Sequence, residues 1–171
     1  MSPSGGPAPE AEHDAMWTAF EARFVFKPST SMYPGIVEPS DSVTWHLAAV
    51  SGREDPMVDE IQAVIERALL ACARPGEPLY WLDWNHQGYR FDPHRVARPG
   101  GPRWPGLAYP DGDYYLYLTS DLRLGTFGHP WEDSLCVFGS DLLAEVEDEL
   151  TELLGTALRR GGRNIGNIWT F

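Results

Sequence analysis

Leu79-Tyr-Trp-Leu-Asp-Trp-Asn-His-Gln-Gly-Tyr-Arg-Phe91 is the stretch on which the fold turns. Two aromatic-rich apolar runs, 79–84 and 88–91, flank Asn85-His-Gln-Gly88, which reads as a hairpin turn with Gly88 at positive φ. The pair predicts an antiparallel sheet, and its neighbours extend it. Downstream, Pro110-Asp-Gly-Asp113 turns into the strand Tyr114-Tyr-Leu-Tyr-Leu118. Leu122 to Phe127 and Leu135 to Phe138 predict two more strands, joined through Gly128-His-Pro-Trp131. Upstream, Val43, Trp45, Leu47 and Ala49 alternate as a half-buried strand does. Residues 95–110 hold Pro99, Pro102, Pro105 and Pro110 with three glycines, so they predict a loop, and one long enough to carry function.

Three helices complete the pattern. Asp55-Pro-Met-Val-Asp-Glu60 supplies a capping Asp, a Pro at the first helical position and acids at the positive end of the dipole. Val58, Ile61, Ile65, Ala68, Leu69 and Cys72 then share one face, and Arg74-Pro-Gly-Glu-Pro78 ends the helix. Met16, Trp17, Phe20 and Phe24 recur at helical spacing behind a capping Asp14. Ser140 caps a last helix whose leucines face inward and whose acids face solvent. The expected fold is α+β: an antiparallel sheet of about five strands with helices packed on one face, in a single domain over 14–171. Residues 1–13, mostly Pro, Gly and Ser at their start, predict a disordered N-terminal tail.

Composition narrows the partners. The 25 acidic against 13 basic residues give a net charge of -12, which repels phosphate backbones and anionic membranes, so no nucleic acid and no membrane partner is expected. No apolar run is long enough to span a bilayer, and residues 1–12 lack the pattern of a signal peptide, so the expected address is the cytoplasm. Cys72 and Cys136 each sit among apolar residues and predict buried, reduced thiols. The phosphate-binding loop, Gly-x-Gly-x-x-Gly, Gly-x-Ser-x-Gly, His-Glu-x-x-His and Cys-x-x-Cys patterns are all missing.

Polar groups gather at the expected strand ends: Asp83-Trp-Asn-His86, Asp92-Pro-His94, Asp111-Gly-Asp113 and His129-Pro-Trp-Glu132. Imidazoles beside carboxylates suit acid/base chemistry or a divalent metal, which makes His86, His129, Glu132, Asp83 and Asp113 the candidate catalytic set. Their spacing matches no metal-ligand pattern, so neither metal nor cofactor is specified. The plain alternative is turn chemistry, since Asp, Gly and His are also what turns use. Asp83 stands apart, because an acid between Leu82 and Trp84 in an apolar strand needs solvent or a partner. Among the aromatics, Trp84, Tyr89, Trp104, Tyr115 and Trp131, with Arg90, form a candidate binding surface; Arg90, Arg95 and Arg123 are candidates for a small anionic ligand.

The segment 79–91, followed by Tyr109-Pro-Asp-Gly-Asp-Tyr-Tyr115, Gly125-Thr-Phe-Gly-His-Pro-Trp-Glu132 and Cys136-Val-Phe-Gly139, resembles a bacterial family, domain of unknown function family 2716. The resemblance runs from about Trp17 to Arg163 and implies a small bacterial protein; it transfers no activity, cofactor or catalytic residue. Three functions stay open on this reading. The first is an intracellular binding or interaction module for another protein or a small molecule, regulatory or toxin-neutralising. The second is a small metal-assisted or acid/base hydrolase, its site covered by the 95–110 loop. The third is an anionic-ligand binder.

Overall fold

A computed structural model describes residues 5–84, 86–100 and 103–165. In chain order the elements are β1 (Gly5–Pro7), α1 (Glu10–Phe24), β2 (Ser42–His46), α2 (Pro56–Cys72), β3 (Leu79–Asp83), β4 (Tyr89–Phe91) and α3 (Pro93–Val96). They continue with β5 (Tyr115–Thr119), β6 (Gly125–His129), β7 (Ser134–Phe138), α4 (Ser140–Leu154), β8 (Arg159–Arg160) and β9 (Arg163–Asn164). All strands join one nine-stranded sheet in the order β1-β4-β3-β5-β6-β7-β2-β8-β9. Every pairing is antiparallel. The α+β class stands, but the expected count of about five strands is corrected to nine, with four helices, among the described residues. The three strands that escape the pattern, β1, β8 and β9, are two or three residues long, too short for alternation to register.

The placement of all helices on one face is corrected as well. Val43, Trp45, Leu79, Trp81, Tyr117, Leu135 and Val137 pack against α2 and α4. Tyr80, Leu82, Leu116, Leu118, Phe127, Cys136 and Phe138 point the other way and pack against Met16, Trp17, Phe20 and Phe24 of α1. The sheet is therefore a middle layer between two cores. That explains why Leu79–Asp83, Gly125–His129 and Ser134–Phe138 are buried at every position, where a one-sided sheet would bury alternate residues. Leu79-Tyr-Trp-Leu82 is such a run, with Tyr80 hydrogen-bonded to Glu12 on one side and Trp81 donating from Nε1 to Leu107 O (3.0 Å) on the other.

Local chemistry accounts for most boundaries. Asp55 caps α2, its Oδ1 accepting from Met57 N at 2.9 Å, with Pro56 as first helical residue. Asp14 does not cap α1, which starts four residues earlier behind Pro9. Residues 5–13, expected in the tail, instead form β1 on the outer edge of β4 and the first turn of α1. Residues 1–4 of that expected tail, and residues 166–171, lie outside the described residues. Ser140 is the first residue of α4 and not its cap; that position belongs to Gly139, whose φ of 100° and 2.5 Å clearance to Leu124 admit no side chain. The hairpin at 79–91 forms as expected, with Trp81 opposite Tyr89. Asn85 of its turn lies outside the described residues. Gly88 does not take positive φ; it is needed for closeness, since a Cβ there would sit 2.7 Å from His13 Nδ1 and 2.9 Å from Leu82 Cδ2.

Candidate functional site

The register brings three of the four polar groups to one end of the sheet. Asp83 pairs with Tyr115, and Tyr115 with Gly128, so the end of β3, the start of β5 and the end of β6 lie side by side. Asp92 lies at the opposite end, beyond Phe91, where its Oδ1 accepts from His94 N at 3.0 Å and caps α3. The shared end is then divided by the sheet itself. Asp83 alternates with Leu79 and Trp81, and Asp113 with Tyr115 and Tyr117, toward the α2/α4 side. His129 alternates with Phe127 toward the α1 side, where its ring meets Tyr114 at 4.9 Å and Tyr33 at 5.0 Å. The five expected catalytic residues thus form two separate groups.

The first group is Asp83, His86 and Asp113, with one donor atom of each lying within 4.8 Å of the others. Nδ1 of His86 stands 2.9 Å from Asp83 Oδ1 and 3.8 Å from Asp113 Oδ2. Both aspartates are buried, and His86 is exposed at the turn. Hydrogen bonding to Asp83, then its charge, raises the His86 pKa above the usual imidazole range. Burial, aided by the neighbouring Asp83, raises that of Asp113, against a hydrogen bond from Tyr114 N.

The second group is structural. His129 is fully buried; its Nδ1 accepts from Glu132 N at 3.1 Å, which leaves the proton of the neutral ring on Nε2. Burial pushes its pKa down to about 4. Glu132 receives Arg159 Nη1 and Nη2, each at 2.7 Å, and Ser134 Oγ at 2.7 Å. Arg159 also grips Glu38 through Nε (2.8 Å) and Nη2 (3.0 Å), and Glu38 takes a further bond from Thr44 Oγ1 at 2.7 Å. Burial works to raise the pKa of Glu132, but the Arg159 and Ser134 bonds outweigh it and the carboxyl stays below its usual range. A carboxylate so fully engaged with an arginine is a poor general acid or base. Sequence reasoning missed Glu38 and Arg159; the signal was Gly161-Gly162 between Arg159-Arg160 and Arg163-Asn164, a two-residue hairpin turn with both glycines at positive φ.

The candidate binding residues divide in the same way. Tyr89 and Tyr115 pack on Trp81, and Trp104 packs on Phe91 and Tyr117, all on the α2/α4 side. Trp84 and Trp131 both lean on Tyr114, with ring centroids 5.4 Å away in each case, and remain 36% and 41% exposed. Arg90 is held by Glu12, at 3.0 Å and 3.2 Å. Arg123 is held by Glu77 and Asp121, and Arg95 is also engaged. Each of the three arginines expected at an anion site is thus engaged within the protein.

The 95–110 segment, described without Gly101 and Pro102, roofs a cleft of about 890 Å³ over α2. Gln62 fastens it: its Oε1 accepts from Ala108 N at 2.8 Å and its Nε2 donates to Gly106 O at 3.1 Å. Gly106 presses on Trp81, where a Cβ would approach the indole to 2.1 Å. Trp104 is the one expected site residue in the lining, beside Arg53, Asp59, Glu66 and Leu107; the candidate catalytic residues lie elsewhere.

Sheet, two flanking cores and a strand-end rim define an α+β protein. A family model, protein of unknown function (DUF2716), matches residues 8–143, and the chain belongs to that family. The uncharacterized protein YxiI of Bacillus subtilis (strain 168) is 25% identical over 147 residues, covering 82% of this chain and 90% of the relative. No solved structure matches.

Proposed function

We propose that this protein is an intracellular binding module that docks a protein partner on the α1 side of the strand-end rim. The observation that carries the reading is where the exposed apolar residues fall. Of the seven large hydrophobics exposed among the described residues, six are Val25, Met32, Tyr33, Val37, Trp84 and Trp131. Tyr114 joins Trp84 to Trp131, and Tyr33 Oη donates to Trp131 O at 3.2 Å. Val25, Met32, Tyr33 and Val37 line an adjoining groove of about 430 Å³. Contiguous aromatic and Met surface of this kind is what interfaces use as anchors. The net charge of -12 favours a basic partner, steered in by long-range attraction, as a regulatory or toxin-neutralising protein would require.

The test is quantitative binding of an identified partner. The tagged chain and its Trp131→Ala variant are used to recover partners from the organism that encodes them, and the purified partner is then titrated against both. A central anchor is worth about 2 kcal/mol or more, so affinity is expected to fall roughly thirtyfold in the variant. A partner bound equally by both proteins rejects this surface.

The cleft over α2 favours a second reading, binding of a small molecule, because its volume lies in the range of ligand pockets and its lining mixes Trp104 and Leu107 with charged groups. A ligand that raises the melting temperature of the wild type but not of Trp104→Ala would support it.

A further inference from the structure

Two buried carboxylates beside one another call for positive charge between them. Asp83 and Asp113 are each only 8% exposed. Oδ1 of Asp83 is shut off from water, and Nδ1 of His86 stands 2.9 Å from it. Two atoms that each present a lone pair come that close when a proton or a metal cation lies between them. One proton leaves the three groups with a net negative charge in a poorly solvated place, whereas a divalent cation cancels both carboxylates. No Lys or Arg forms an ion pair with Asp83 among the described residues.

We propose that Asp83, His86 and Asp113 form a binding site for one divalent transition-metal ion, through one oxygen of each carboxylate and Nδ1 of the imidazole. The donor set selects the ion. An imidazole nitrogen with two carboxylate oxygens suits Zn²⁺ or Mn²⁺, while Ca²⁺ and Mg²⁺ favour oxygen throughout. Metal–ligand bonds of about 2.0–2.2 Å put ligands of one ion roughly 3–3.5 Å apart. The three donors, now within 4.8 Å, close to that spacing by a shift of about 1 Å. His86 can supply the shift, because its side chain is 67% exposed on a turn. Three protein ligands leave a coordination position open for water or a bound group. His86 also lines a cavity of about 420 Å³ with Glu10, His13 and Asp14, an adjoining place where an ion could sit instead.

None of the three ligands belongs to the proposed docking surface, so the site stands or falls separately. Isothermal titration of the full chain with Zn²⁺ and, separately, Mn²⁺ tests it, with His86→Ala, Asp113→Asn and His13→Ala as variants. The exposed His86 leaves folding out of the result, and circular dichroism checks all three. At least one ion is expected to bind one per chain, with affinity falling tenfold or more in His86→Ala and Asp113→Asn and unchanged in His13→Ala. Absence of stoichiometric binding of both ions, or binding that survives His86→Ala, overturns the site. Loss in His13→Ala with retention in Asp113→Asn moves the ion to the neighbouring cavity and overturns it equally.

Discussion

His129 shows how a residue that resembles chemistry serves stability. Unfolded, its ring takes up a proton near pH 6.5; in the folded protein burial defers that step to about pH 4. Between those values the unfolded chain holds the extra proton, so stability falls as pH falls through the window. The loss by pH 4 is about 3 kcal/mol, since each pKa unit is worth roughly 1.4 kcal/mol. Urea unfolding at pH 7.5, 5.5 and 4.5 should show the decline, and a His129→Gln variant should flatten it. Glu132 acts in a lower window: its depressed pKa contributes above the ordinary carboxylate range and is lost below it. Both cysteines are free, and burial raises the Cys72 thiol to about 11 and the Cys136 thiol to about 12, which keeps them protonated and slow to react.

At the scale of elements, the β8–β9 hairpin and the segment leading into β2 are tied together by a single side chain. Arg159 bonds Glu38 ahead of β2 and Glu132 between β6 and β7, and β8 pairs with β2 at Thr44 and Val43. Arg159→Met leaves two buried carboxylates facing each other without a counter-charge, a loss of about 3–5 kcal/mol. Equilibrium unfolding of that variant near pH 7 measures it. A loss below 1 kcal/mol would mean that the carboxylates find water or another partner. Gln62 plays a comparable part on the other face, joining α2 to the 106–108 backbone and to Tyr117 Oη at 3.2 Å. Gln62→Ala should release the roof of the cleft, read as faster amide exchange at Ala108 with little change at the centre of α2.

Across the whole molecule, β3, β5, β6 and β7 are covered on both faces, while the outermost strands, β1 and β9, each have one neighbour. Hydrogen exchange should therefore grade from the central strands outward, slowest at Leu116, Tyr117 and Val137 and fastest at β1 and β9. Uniform protection across the sheet would contradict the layered core. Strands β2 to β7 and the helix at Pro56–Cys72 were legible beforehand because apolar runs, helical spacing and an Asp-Pro cap are local signals written in consecutive residues. The candidate site was legible in type and not in grouping. Asp83, His86, Asp113, His129 and Glu132 all reach one end of the sheet, yet alternation along a strand sends Asp83 and His129 to opposite faces, and only the register between β3, β5 and β6 shows it. By itself, then, the sequence determined an acidic α+β chain, its main elements and its polar turns. The tertiary structure alone decided that helices cover both faces, that Glu132 is consumed by Arg159 from a hairpin near the end of the described chain, and that Asp83 meets His86 and Asp113. Those outcomes rest on contacts between residues far apart in the chain, which chain closure and packing select and no local pattern encodes.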